Sequence, residues 1–201
     1  MLNKFFQNTR KPEGFLGKVM LNGMNSGHTA LAEWGFSHIN FRPDMHILDI
    51  GCGGGANIER MLKECPQGCV NGLDYSEESV KMSRKKNEKE LGKRCLIVQG
   101  DVSNLPYKAQ QYDLVTAFET IYFWPELTTC FEEIRQIIKS GGQFMITCEM
   151  SDPSNTTWTD KIDGMTIYSP EDLKARLLKA GFASVAVDTA KREWVCLAAQ
   201  N

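Results

Sequence analysis

The sequence predicts an α/β fold: a seven-stranded, mostly parallel sheet with helices on both faces and an antiparallel hairpin at its C-terminal end. Three observations support that prediction. From His46 onward, short apolar runs alternate with segments of helical period, which is the pattern of a parallel sheet whose crossovers are helices. Four glycines within residues 51–55 fall where a strand-like run gives way to a helix-like one. The last two strand-like runs are separated by four residues, enough for a hairpin and too few for a crossover.

The 201 residues suffice for one domain and a short extension. The extension is residues 1–43, read as a helical cap or lid, and the domain is residues 44–201. Phe15, Leu16, Val19, Met20 and Met24 lie at spacings of one, three and four, on one face of an amphipathic helix. After a Gly/Asn/Ser break at 22–27, Leu31, Trp34 and His38 mark a second short helical stretch, and 40–43 is a connector. Residues 45–50 are the first strand, and Ile58, Met61, Leu62 and Cys65 then repeat at helical spacing. Residues 69–73 are the second strand. Ser76 is placed to cap the next helix, with Glu77 and Glu78 in its positive first turn. That helix continues through the charged segment 81–93, where Glu88 and Glu90 interleave the lysines, so it reads as a solvated face.

Residues 95–99 and 112–118 are the third and fourth strands. Pro125 suits a first helical position, and Leu127, Cys130, Phe131, Ile134, Ile137 and Ile138 keep helical period behind it. Ser140, Gly141 and Gly142 stop that helix before a fifth strand at 143–148. Ser169, Pro170, Glu171 and Asp172 start a further helix that Gly181 stops. Strands at 183–188 and 193–199 close the chain.

Composition narrows the function classes. Hydrophobic residues at 42% and charged residues at 24% are those of a globular protein rather than a disordered or fibrous one. No apolar stretch approaches the ~20 residues a bilayer span requires, so no membrane association is expected. Residues 1–10 are polar and mixed, with no apolar core behind them, so no secretory signal is expected. Seven cysteines then read as free thiols in a reducing compartment, which points to the cytoplasm. With 23 Lys and Arg against 25 Asp and Glu, the chain lacks the basic excess of a dedicated nucleic-acid binder. Cys65 and Cys69 have no second pair at ligand spacing, so no metal site is expected.

The chemistry concentrates in residues 47–56, Ile-Leu-Asp-Ile-Gly-Cys-Gly-Gly-Gly-Ala. Glycines at a strand-to-helix junction let the backbone turn tightly and approach a ligand without Cβ clashes. The spacing of Gly51, Gly53 and Ala56 also satisfies a loose dinucleotide pattern, so the glycines alone leave an NAD(P)-dependent oxidoreductase open. Asp49, two residues before Gly51, favours a ligand bearing an ammonium or sulfonium charge over a pyrophosphate.

The run from Asp49 through Gly51, Cys52, Gly53 and Gly55 resembles the D/E-x-G-x-G-x-G signature of class I S-adenosylmethionine-dependent methyltransferases. Later landmarks follow in that family's order over about residues 44–199. The resemblance implies a Rossmann-like sheet, S-adenosylmethionine as cofactor, and methyl transfer. Asp74 closes the second strand 23 residues after Gly51, where the family places an acid on the ribose hydroxyls. Asp101 falls where an acid meets the adenine amino group, with Val102 beside the ring. Tyr75 and Phe118, at the ends of the second and fourth strands, complete the implied cofactor set with Asp49 and the glycine loop. Residues 112–115 resemble the family's fourth strand, and 139–142 its approach to the fifth. A helix cap is an alternative role for Asp74 and a turn role for Asp101, while Asp113 reads as structural.

At the reacting end, residues 117–125 lack the Asn/Asp-Pro-Pro-Tyr/Phe motif of enzymes that methylate amino groups of nucleobases or glutamine. Tyr122, Phe123 and Trp124 form either a wall against the substrate and the sulfonium methyl or a packed loop. Glu119 is placed either to orient or deprotonate a nucleophile or to cap a helix. His28 sits in a polar, glycine-flanked setting that suits a general base, whereas His38 and His46 read as structural. His28, Glu119 and Tyr122 are thus the catalytic candidates. Cys52 reads as an inert thiol, and the reaction requires neither a metal nor a covalent intermediate. Specificity falls to residues 12–40, 119–124 and 150–168, all short, so a small-molecule acceptor is expected, with a monomer or homodimer as the assembly. A non-catalytic S-adenosylmethionine-binding module is the alternative.

Overall fold

A computed structural model describes residues 29–190 and 193–201. The amphipathic segment 15–24 and His28 lie outside the described residues, which begin with helix α1 (Thr29–Phe36). The strands are β1 (His46–Ile50), β2 (Cys69–Asp74), β3 (Ile97–Gln99), β4 (Tyr112–Phe118), β5 (Ile138–Cys148), β6 (Ser184–Ala190) and β7 (Trp194–Gln200). They form one seven-stranded sheet in the order β3-β2-β1-β4-β5-β7-β6. The first five are mutually parallel, and β7 runs antiparallel to both β5 and β6. Helices α2 (Ala56–Glu64), α3 (Glu77–Lys86), α4 (Leu127–Ile137) and α5 (Pro170–Lys179) connect them.

Alternation of side chains along each strand divides the core in two. Leu48 and Ile50 face the side packed by Phe131 and Ile134 of α4 and Leu173 and Leu177 of α5. Ile47, Val70 and Leu114 face Ile58 and Met61 of α2, Val80 of α3 and Phe36 of α1. Both faces are dry because both are covered by helices, which is why the central strands read as nearly continuous apolar runs.

Beyond shifts of one or two residues at strand ends, three boundaries differ from the sequence expectation. The charged run 81–93 is not one helix: α3 ends at Lys86, and the buried Asn87 side chain donates to the carbonyls of Ser83 (3.0 Å) and Gly55 (3.1 Å). A side chain that satisfies helix-end carbonyls removes the need for another turn. Residues 140–142 are not a loop, since the chain passes from α4 straight into β5. Ile138 pairs with Tyr112, and a register irregularity places Gly141 at φ 75°. Pro125 precedes α4 rather than opening it, because Glu126, at φ 35°, is the N-cap. Ser76 and Ser169 do cap their helices, accepting from the backbone N–H groups of Ser79 (3.2 Å) and Asp172 (3.1 Å).

Two polar ties hold the edges. His38 Nε2 lies 2.8 Å from Asp188 Oδ2 and its Nδ1 2.9 Å from the Trp34 carbonyl, pinning the end of α1 to β6. Asp113 accepts from the His46 N–H (2.8 Å), Lys139 Nζ (2.9 Å) and Arg42 Nη2 (3.3 Å), a structural role at the entrance of β4. All seven cysteines are free. Among the described residues, no helix is long and apolar enough to cross a membrane, and no group of three or more His, Cys, Asp or Glu could hold a metal.

Candidate active site

The strand order reverses between β1 and β4, so the connections leaving their carboxyl ends go to opposite faces and open a crevice between them. A cavity of about 550 Å³ occupies that position. Its floor is the glycine loop. Gly51 adopts φ 74°, and a Cβ there would run into the Thr120 side chain, so glycine is what lets the loop after β1 close on the loop after β4. The N–H groups of Gly51 (2.7 Å) and Cys52 (3.2 Å) both donate to the Leu73 carbonyl, which folds the loop back over the end of β2.

Asp74 locks that arrangement. Its Oδ2 accepts from the Gly53 N–H (2.8 Å) and its Oδ1 from the Ser76 N–H (2.9 Å), joining the loop after β1 to the start of α3. Burial pushes its carboxyl up, and the two backbone donors oppose that without cancelling it. The Ser79 hydroxyl is a further donor to it, and an ionised carboxylate offers about four acceptor positions, so capacity for a ligand remains.

Asp49 lies one layer deeper, 2% exposed, accepting from the Thr116 hydroxyl (2.7 Å). Desolvation raises its carboxyl to about 7; the Thr116 bond lowers it and the nearby Asp74 charge raises it further. Asp101 accepts from the N–H (2.9 Å) and the hydroxyl (2.7 Å) of Ser103, both through Oδ1. It is a turn aspartate that also lines the cavity. Cys52 is buried on the cavity wall, and desolvation pushes its thiol well above the usual range, which suits an inert thiol.

The loop after β4 holds a second acid. Glu119 sits at φ 58°, a conformation costly for a residue with a Cβ. Its carboxylate accepts from the Glu149 backbone N–H and from the Tyr122 hydroxyl (3.0 Å), and burial raises it to about 8. The three aromatics divide their roles. Tyr122 is 3% exposed, with its hydroxyl bonded to Glu119 and accepting from the Met150 N–H (3.1 Å). Trp124 stacks on Phe144 at 6.4 Å and 8° while touching the cavity, and Phe123 lines it. The segment after β5 is anchored by Ile162, Met165 and Ile167 in the core, with Gly164 at the cavity and Trp158 exposed.

Of the residues singled out in the sequence, Gly51, Cys52, Gly53, Asp74, Tyr75, Asp101, Val102, Phe118 and Glu119 line one cavity. Asp49 and Tyr122 sit behind its wall, and Gly55 packs against Ser83 and Asn87 of α3. The structure adds Phe36 of α1, Thr120, and Arg60 of α2 to the lining. Helical phase was the available signal for Arg60: it lies four residues after Ala56, beside the buried stripe of Ile58, Met61 and Leu62.

A parallel sheet with its reversal beside a glycine loop, and acids closing β2 and following β3, defines the class I S-adenosylmethionine-dependent methyltransferase fold. The chain belongs to the methyltransferase-domain family, whose model matches residues 41–187. Over 108 residues it is 34% identical to the sterol 24-C-methyltransferase ERG6B of Gibberella zeae, covering 53% of this chain and 28% of that one. Over 190 residues it is 27% identical to the chloroplastic 2-methyl-6-phytyl-1,4-hydroquinone methyltransferase of Arabidopsis thaliana, covering 90% and 53%. The chain thus spans about half or less of the length of these curated relatives. Among solved structures, it superposes on the methyltransferase in the complex with the Haloferax volcanii Trm112 activator. The TM-score is 0.81 at 21% identity, covering 90% of this chain and 93% of that one.

Proposed function

We propose that the cavity binds S-adenosylmethionine and that the protein transfers a methyl group to a small-molecule acceptor. The observation that supports this best is the Asp74 carboxylate, which is buried at the end of β2, fixed by two backbone donors and still has acceptor capacity toward the cavity. The residues fit the cofactor. The glycine loop brings bare backbone to the cavity wall at Gly51 and Gly53, and the lining acids Asp74 and Asp101 match hydroxyl and amino donors. A pyrophosphate beside Asp49, Asp74 and Asp101 would meet three carboxyl groups. When bound, the cofactor supplies a methyl already activated on a sulfonium.

The chain's part is alignment and exclusion of water. The backbone of Gly51, Cys52 and Gly53 holds the methionyl portion, with the Asp49 charge beneath it. Asp74 takes the ribose hydroxyls, Asp101 the adenine amino group, and Val102, Tyr75 and Phe118 flank the nucleoside. Among the catalytic candidates, Glu119 belongs to the cavity lining, and its carboxylate accepts the acceptor's proton. Tyr122 is a positioning residue that holds Glu119 through its hydroxyl. His28, in its polar, glycine-flanked stretch, is a further candidate base. Leu31, Phe36, Phe118, Phe123 and Trp124 give the lining an apolar part, which suits a hydrophobic acceptor. The names of the relatives, a hydroquinone and a sterol methyltransferase, agree with that class. The free thiols fit a reducing, cytoplasmic setting.

Calorimetric titration with S-adenosylmethionine, S-adenosylhomocysteine and NAD tests the cofactor, and release of S-adenosylhomocysteine from metabolite extracts tests transfer. Binding of the first two without NAD is expected. NAD as the tighter ligand overturns the reading, and cofactor binding with no transfer from any extract leaves a binding module.

A further inference from the structure

Among the described residues, the cavity lining carries three carboxyl groups, those of Asp74, Asp101 and Glu119, and a single cationic side chain, Arg60. Arg60 sits on the second turn of α2, on the face it shares with Ala56 and Asn57, which also line the cavity. Positions 56, 57 and 60 span an arc of about 100° on a helix, so one edge of α2 rises directly from the glycine loop. The guanidinium is held in place without being saturated. Its Cζ lies over the Phe36 ring, 4.7 Å from the centroid. Glu33 Oε1 is 3.8 Å from Nη1, beyond hydrogen-bonding distance, and both side chains are largely open to solvent, at 42% and 62% exposure. A guanidinium carries five donors in a fork that matches a carboxylate. Phe36 in turn packs on Phe118 at 5.1 Å, so the fork is braced against the end of β4.

We infer that Arg60 is the recognition element for the α-carboxylate of the cofactor's amino-acid end, selecting a ligand with a carboxylate tail over the bare nucleoside thioether. The inference rests on the proposed cofactor. Beyond that, it rests on place and charge: Arg60 is the one cation among the described residues that line the cavity, and it stands on the second turn of the helix that the glycine loop opens. It also gives α1 a role, since α1 lies before the family match at residue 41 and supplies the ring that orients Arg60.

The test is calorimetry with two neutral-sulfur ligands, S-adenosylhomocysteine and 5′-deoxy-5′-methylthioadenosine, which lacks the amino-acid tail. Arg60→Ala should weaken S-adenosylhomocysteine by about ten- to hundredfold, the scale of a charged hydrogen-bonded pair, and leave methylthioadenosine within about twofold. Arg60→Lys should fall between, because the charge remains and the fork does not. Glu33→Gln should leave S-adenosylhomocysteine binding unchanged or tighter. Equal weakening of both ligands by Arg60→Ala makes the residue structural and overturns the inference, as does parental affinity for S-adenosylhomocysteine. A loss from Glu33→Gln as large as that from Arg60→Ala also overturns it, by assigning the effect to the α1–α2 pair. If the parent binds neither ligand, the cofactor reading itself fails, a result distinct from all of these.

Discussion

Replacing Asp49 by asparagine should make the ligand-free protein more stable and its hold on a sulfonium weaker. The carboxyl is fully buried at the end of β1 and titrates at about 7, against 3.8 for the ordinary group. At about 1.36 kcal/mol per pH unit, keeping it ionised above pH 7 costs the fold up to about 4 kcal/mol. Between pH 3.8 and about 7 the native state binds more protons than the unfolded chain, so this contribution to stability is present in acid and is lost as pH rises. Asparagine keeps the shape and the oxygen that accepts the Thr116 hydroxyl, but adds an amide whose donors need partners, which offsets about 2 kcal/mol. The net gain expected at pH 8 is about 1–2 kcal/mol, or about 2–8 °C in melting temperature for a domain of this size. Thermal unfolding of both proteins at pH 5 and pH 8 reads this directly, and the advantage of the variant should grow with pH. Titration with S-adenosylmethionine at pH 8 should show about tenfold weaker binding by the variant, with a smaller loss for S-adenosylhomocysteine, whose sulfur is neutral. A variant less stable than the parent at pH 8, or a difference that does not change with pH, refutes the desolvation argument. Equal affinity for both ligands across the pair refutes the charge argument.

Three further substitutions probe other parts of the site. Asp74→Ala orphans the N–H groups of Gly53 and Ser76 and should weaken cofactor by about ten- to hundredfold, with Asp74→Asn milder because one oxygen remains. Parental affinity in calorimetry for both variants would make Asp74 a loop tie only. Gly51→Ala places a Cβ at φ 74° against Thr120 and should cost about 1–3 kcal/mol of stability together with ligand binding, seen as a lower melting temperature that cofactor does not restore. Glu119→Gln preserves an acceptor for the Glu149 N–H and removes the proton acceptor. Parental turnover should rise with pH through about 8, and the variant should be at least about hundredfold slower with that rise abolished, whereas identical pH profiles would exclude Glu119 as the base.

Local chemistry made much of this protein legible from sequence. Short apolar runs located the strands and period-3.6 patterns the helices, because a strand covered on both faces is apolar throughout while a helix buries one stripe, and both are written in consecutive residues. Ser76 and Ser169 announced their helices for the same reason: a cap bonds to a donor three residues away. The glycine loop, Asp74 and Asp101 were equally local, each being a backbone requirement or a carboxylate at a strand end. Tertiary packing decided what depends on residues distant in sequence. Asn87 ends α3 through a bond to Gly55, 32 positions away, which no helical pattern within the charged run could disclose. Asp49 and Glu119 are shifted toward neutrality because the sheet and its helices exclude water from them; a carboxylate in the unfolded chain has no such surroundings. Arg60 reads as one more surface arginine until α1 folds Phe36 beneath it, and its charge acquires meaning only beside the acids that other strands bring to the same cavity.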